Sequence, residues 1–159
     1  MAHQPLETAY SHSVPTVRQL SVFIENQVGQ LLRLTQLFDR TDVHILALSV
    51  VYSVDCAITR MIVDEPDEAS QVLRQYGFPV SDCELVVVSL PHGKRALLDV
   101  WTALLRGEVN VHYTYPLLVR PHGNAAIAVQ ADDNELAVKV LREGRFSVLD
   151  QDELARGAM

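Results

Sequence analysis

The stretch Glu25-Asn26-Gln27-Val28-Gly29-Gln30-Leu31-Leu32-Arg33-Leu34-Thr35-Gln36-Leu37-Phe38 decides how this chain is read. Before it, Val17 to Glu25 alternates, with Leu20, Val22 and Ile24 on one face and Gln19, Ser21 and Glu25 on the other; Phe23 breaks the pattern. A period of two is that of a half-buried strand. After it, Leu31, Leu34, Thr35 and Phe38 fall at i, i+3, i+4 and i+7, one stripe of an amphipathic helix. Between them lies a polar turn. Asn26 can cap a helix through its side-chain oxygen, and Gly29 lets the backbone bend or approach another group closely.

Downstream, residues 43–53 and 56–63 read as two β-rich strands around a tight turn at Val54 and Asp55. An acidic, proline-bearing start at Asp64 to Glu68 opens a helix over 67–76, with Ala69, Val72, Leu73 and Tyr76 on one stripe, and Gly77 stops it. A short fourth strand begins at Phe78-Pro79-Val80, and the order so far is βαββαβ.

The order then recurs. At an offset of 66 residues, Leu20, Val22 and Ile24 map to Val86, Val88 and Leu90, and Phe38 maps to Leu104. After a longer second hairpin turn, Pro116 to Asn124, the offset becomes 68, and Asp64, Leu73 and Phe78 map to Asp132, Leu141 and Phe146. Agreement of so many segments in order is an internal repeat. Each copy must bury one sheet face under two helices. The expected fold is therefore α+β: two ferredoxin-like βαββαβ units, each an antiparallel sheet with helices on one face, packed as a pseudo-dimer. The expected division is a flexible arm 1–16, a first unit 17–81, a second unit 82–150 and a polar tail 151–159.

Bulk properties narrow the function. A net charge of −7 and a pI near 5.2 argue against nucleic acid or an anionic membrane as the partner, since both need a basic face. Two cysteines, Cys56 and Cys83, make neither a disulfide framework nor a zinc motif. The six histidines have no metal-ligand spacing, so no metal and no cofactor are expected. There is no G-x-x-x-x-G-K loop, no G-x-S-x-G elbow, and no carboxylate pair with a catalytic rationale, so the chain reads as no enzyme. The start of the sequence lacks a signal-peptide pattern, and no apolar run approaches the roughly 20 residues of a membrane helix, so the cytoplasm is the expected location.

The strand, the turn from Glu25 to Leu32 and the helix ending at Phe38 resemble the start of an ACT domain, and Val43 to Ser49 resembles that family's second strand. From about residue 17 to 150 the chain resembles a tandem ACT protein. The resemblance implies a regulatory module that binds an amino acid or similar metabolite where the first turn of one unit faces strands of the other.

The candidate ligand-binding residues are Asn26, Gln27, Val28, Gly29, Gln30 and Leu31 in the first turn and Ser49 on the second strand. The unpaired amides of a turn before a helix favour a carboxylate, and Asn26 offers both a donor and an acceptor. Tyr52, Tyr113 and Tyr115 are candidate pocket walls, although an ordinary strand face or packing between the units accounts better for each one singly. In the second copy the turn is Pro91 to Leu97, with Arg95 at the position of Gly29 and Gly93 able to bend the chain two residues early. His92 and Arg95 are the candidates there; an arginine offers a cationic fork for a carboxylate. Because the joint recurs without glycine at residue 95, Gly29 reads as doing more than making a turn.

The function expected is a regulatory small-molecule sensor acting at the strand–helix turn and the interface between units. The alternative is a protein-interaction module, or a regulatory subunit of an amino-acid biosynthetic enzyme, with decayed ligand sites. The partners are then an amino acid, a second copy in a homodimer, or a biosynthetic enzyme.

Overall fold

A computed structural model describes residues 14–157. The elements in order are β1 (Val17–Glu25), α1 (Gln30–Gln36) continuing as a 3-10 turn (Leu37–Arg40), β2 (Ile45–Tyr52), β3 (Cys56–Val63), α2 (Pro66–Gln75) and β4 (Val80–Ser89). Then follow α3 (Ala96–Arg106), β5 (Val111–Pro116), a short 3-10 turn (Pro121–Gly123), β6 (Ala126–Ala131), α4 (Asn134–Glu143), β7 (Val148–Leu149) and α5 (Gln151–Gly157). The expected α+β repeat is present, and all strand pairs are antiparallel.

The repeat extends to its hydrogen bonds. Asp64 accepts the backbone N–H of His44 at 2.7 Å, and its counterpart Asp132 accepts that of Asn110 at 3.1 Å. Each carboxylate ties the end of one hairpin strand to the start of the other. The ends of α2 and α4 close alike, with Phe78 N–H donating to Leu73 O and Phe146 N–H to Leu141 O. These are the 6→1 bonds of a Schellman cap.

The expected fourth strand of the first copy and first strand of the second are one strand. β4 pairs β1 through Val80 to Leu85, then β6 through Val86 to Ser89 and β7 through Val87 and Val88. The expected boundary between 81 and 82 falls inside it. The sheet therefore runs β2-β3-β1-β4-β6-β5, with β7 beside β4. It curls until its outer strands meet, where Ala47 bridges Leu117 and Leu118 N–H donates to Leu46 O at 2.8 Å.

Curling creates three cores rather than two. Leu20, Val22, Leu34, Phe38 and Leu73 fill the space under the helices of the first unit. Val86, Val88, Val100, Leu104 and Leu141 do so in the second, and the half-buried Trp101 packs against that cluster. The third core lies between the inner sheet faces and holds Val17, Leu46, Ile62, Leu85, Val87 and Tyr115. The tail expected to be polar joins it: Leu154 of α5 is fully buried there. Of the expected arm, residues 1–13 lie outside the described residues, and Val14 to Thr16 are half-buried.

The first part of β1, through Gln19 and Leu20, is consequently covered on both faces rather than half-buried, while Phe23 and Glu25 further along stay exposed. Gln19 is fully buried between the sheets. Its Nε2 donates to Tyr113 Oη at 2.9 Å, and its Oε1 accepts from Tyr115 Oη at 2.7 Å. The Arg60 guanidinium lies 3.9 Å over the Tyr113 ring. A buried amide satisfied from both sides fixes how the two units meet.

Candidate functional site

The first turn departs from β1 with Gln27 N–H donating to Glu25 O at 2.8 Å. This tight bend delays the helix, which starts only at Gln30, with Gly29 in the cap position and no side-chain cap. Asn26, expected as a cap, is exposed three residues too early to reach the first helical amides. Gly29 has φ +87°, a left-handed conformation that other residues adopt at a cost, and a Cβ there would meet no atom within 4 Å. The glycine is thus needed for the turn itself.

The second joint makes the same bend differently. Gly93 has φ +112°, while Arg95 has φ −92° at the start of α3. Arg95 takes the capping place of Gly29, since Asp99 N–H donates to Arg95 O as Arg33 N–H does to Gly29 O, and the positive-φ bend falls to Gly93, two residues early. Gly93 supplies the bend, as the sequence allowed, so the glycine-free position 95 no longer argues that Gly29 does more than make its turn.

A cavity of about 300 Å³ lies against the first turn. Asn26, Gln27, Val28, Gly29, Gln30 and Leu31 all line it, together with Leu32, Ile24, Ala57, Val50 and Tyr52. The last five supply an apolar wall that turn chemistry alone does not reveal. Their signal was present in the strand alternation, since Ile24, Ala57 and Val50 share the helix side of the sheet. Ser49 is not among the lining residues; it pairs with Arg60, on the face of β2 opposite Val50 and Tyr52. Tyr113 and Tyr115 are not walls of this cavity either. Their rings stack at 6.4 Å inside the curled sheet, and burial pushes both phenols above their ordinary value, Tyr115 the further.

In the second unit a cavity of about 720 Å³ adjoins the other turn. His92 lines it, with Pro91, Asp99, Arg106, Asn124, Arg145 and Phe146. Arg95 does not line it, and forms an exposed ion pair with Asp99 at 3.8 Å. Arg106 and Arg145 stand nine or more residues beyond the turn in sequence, which hid them from any local motif. Each turn cavity is lined by residues of its own unit, so neither lies at the interface expected between units. The units meet instead through inner sheet faces and β4, which leaves both turns outside that contact. Among the described residues no group of histidines, cysteines and carboxylates could hold a metal ion. No helix among them is long and apolar enough to cross a membrane.

A family profile for the ACT domain pair matches residues 15–158. The chain belongs to the ACT domain family. ACT domains are in general ligand-binding regulatory domains. This ACT pair is similar to the crystal structure of protein BT0572 from Bacteroides thetaiotaomicron, at 27% identity and TM-score 0.81 over 89% of this chain and 96% of that one. It is also similar to the regulatory subunit of aspartate kinase from Thermus thermophilus, at 13% identity and TM-score 0.58 over 82% and 93%. The corresponding subunit from Thermus flavus gives 11% and 0.55 over 82% and 94%. At those identities the likeness to the two kinase subunits is one of fold. No curated protein matches the sequence.

Proposed function

We propose that this ACT pair is a regulatory sensor whose first strand–helix turn binds an amino acid or a metabolite of similar size. The observation that carries this reading is the cavity in which the turn's polar backbone faces an apolar wall built from β1, β2 and β3. A few polar groups to orient a ligand beside apolar surface to bury its side chain is the usual composition of a small-molecule site, and 300 Å³ is within its usual size.

The test is a panel of amino acids scored by melting temperature, since a ligand that binds only the folded chain stabilises it. At least one is expected to raise the midpoint at millimolar concentration. Tyr52 is largely exposed and lines the cavity, so Tyr52→Ala should abolish that shift while leaving the ligand-free midpoint unchanged. A panel without any shift sinks the proposal.

The second reading, docking onto a second copy or a biosynthetic enzyme, is favoured by exposed apolar side chains around the same turn: Val28, Leu32, Tyr52 and Val54. Sedimentation equilibrium distinguishes a homodimer from a monomer. A monomer whose midpoint responds to an amino acid selects the sensor alone.

A further inference from the structure

The two units carry the same second cavity, and only one copy has acquired positive charge. In the first unit a cavity of about 390 Å³ lies between the end of β1, the start of α1 and the α2–β4 turn, lined by Phe23, Glu25, Arg33, Asp55, Gly77 and Phe78. The 720 Å³ cavity of the second unit is its counterpart. At the offset of 66, Phe23, Glu25 and Arg33 correspond to Ser89, Pro91 and Asp99; at 68, Gly77 and Phe78 correspond to Arg145 and Phe146.

The charges change sign between the copies. Glu25 and Asp55 make the first cavity acidic, and its one cation, Arg33, lies 5.3 Å over the Phe78 ring. In the second, Glu25 is replaced by a proline and Gly77 by Arg145, while Arg106 enters from the end of α3. Neither arginine has an ion-pair partner among the described residues. The one carboxylate lining the cavity, Asp99, is paired with Arg95. His92 and Asn124 add further polar side chains to the lining.

Arg145 is the informative substitution. Gly77 ends α2 with φ +83°, and Arg145 ends α4 with φ +64° in the same hydrogen-bonded cap. Glycine is the residue that this conformation favours. An arginine there gives no backbone advantage, and its side chain is spent lining the cavity.

We infer that the second unit's cavity binds a small molecule carrying two or more negative charges, as phosphate or carboxylate groups, between Arg106 and Arg145. Two unpaired guanidinium groups at one cavity match the bidentate acceptors of either group. The site is independent of the first-turn pocket, because the two cavities share no lining residue.

The experiment is isothermal titration calorimetry of the full chain with inorganic pyrophosphate and with citrate, each against sodium chloride of equal ionic strength. At least one of the two anions should bind, and the affinity should fall as salt is added. Binding of pyrophosphate alone assigns the site to phosphates, and binding of citrate alone to polycarboxylates. Arg145→Gly should weaken binding roughly ten-fold or more, while the ligand-free melting temperature stays level or rises as the left-handed position regains its glycine. Arg106→Gln, at an exposed position, should weaken it comparably. Heats no larger than those of sodium chloride, or undiminished affinity in both variants, overturn the inference. An amino-acid panel that fails at the first turn leaves this result unaffected.

Discussion

The two strand–helix joints occupy equivalent places in one repeat and have become chemically unlike. The first presents a polar turn, with Glu25 its one charged residue, to an apolar wall around a cavity of about 300 Å³. The second borders about 720 Å³ and brings two arginines to it. The backbone device is shared, a left-handed glycine at Gly29 or Gly93. The difference teaches that this joint is a mechanical part, kept in both copies, while the side chains around it are free to diverge in charge and shape. Duplication within one chain permits this, because each copy can change without altering the other.

The largest expected effect breaks the frame in which the joints are compared. Gln19→Leu removes the acceptor of the Tyr115 hydroxyl and the donor to Tyr113. A buried hydroxyl left without its partner costs about 1–3 kcal/mol, read by chemical denaturation. Adding Tyr115→Phe should recover part of that loss, because removing both partners avoids the orphaned group. Two additive losses would show that the bond does not couple the units.

The next effect tests which residue carries the bend in each joint. Gly29→Val and Gly93→Val should each cost about 1–2 kcal/mol, the penalty of a left-handed residue with a branched side chain. Arg95→Gly should stay within about 0.5 kcal/mol at its exposed position with negative φ. A loss at Arg95 as large as at Gly29 would place the bend of the second joint at residue 95.

The smallest effect is in pH. Burial raises the folded-state values of Cys83, Tyr113 and Tyr115 above their ordinary 9.0, 10.0 and 10.0. The folded chain then holds these protons more tightly than the unfolded chain. Their contribution is whole below the unfolded values and is lost as pH rises through the folded ones. The melting temperature should therefore begin to fall above about pH 9 and fall more steeply past about 10. Tyr115→Phe should flatten the steeper part, and an unchanged slope in that variant would assign the loss to other groups.

Much of the fold was legible because the repeat is written in side chains that face a core. Leu20, Val22 and Ile24 and their copies Val86 and Val88 alternate cleanly, and the helical stripes need no tertiary information. The joining of the two units was less legible. Ser81, Asp82 and Cys83 are polar enough to look like a linker, yet they lie within β4, where pairing with β1 on one edge holds them in a strand. Gln19 looks like a solvent-facing residue because a strand's pattern shows one face at a time, and the second sheet covers it. The first turn was read correctly as a joint, but the length of its bend was not, so Asn26 was given a capping role that falls to the backbone at Gly29. The arginines of the second cavity come from the ends of α3 and α4, and only the comparison of Gly77 with Arg145 at the offset of 68 marks either one.

β4 carries a consequence for motion. Along it, Val86 and Val88 face the helices of the second unit, while Leu85 and Val87 face the space between the sheets. Because side chains alternate, a slip by one residue would exchange those faces. The same slip would displace the ladder with β1, since both ladders hang on one continuous backbone. Neither unit can slide past its neighbour in small increments. Any influence of one cavity on the other must travel as tilt and twist of a shared beam roughly 33 Å long, with its registry locked at both ends.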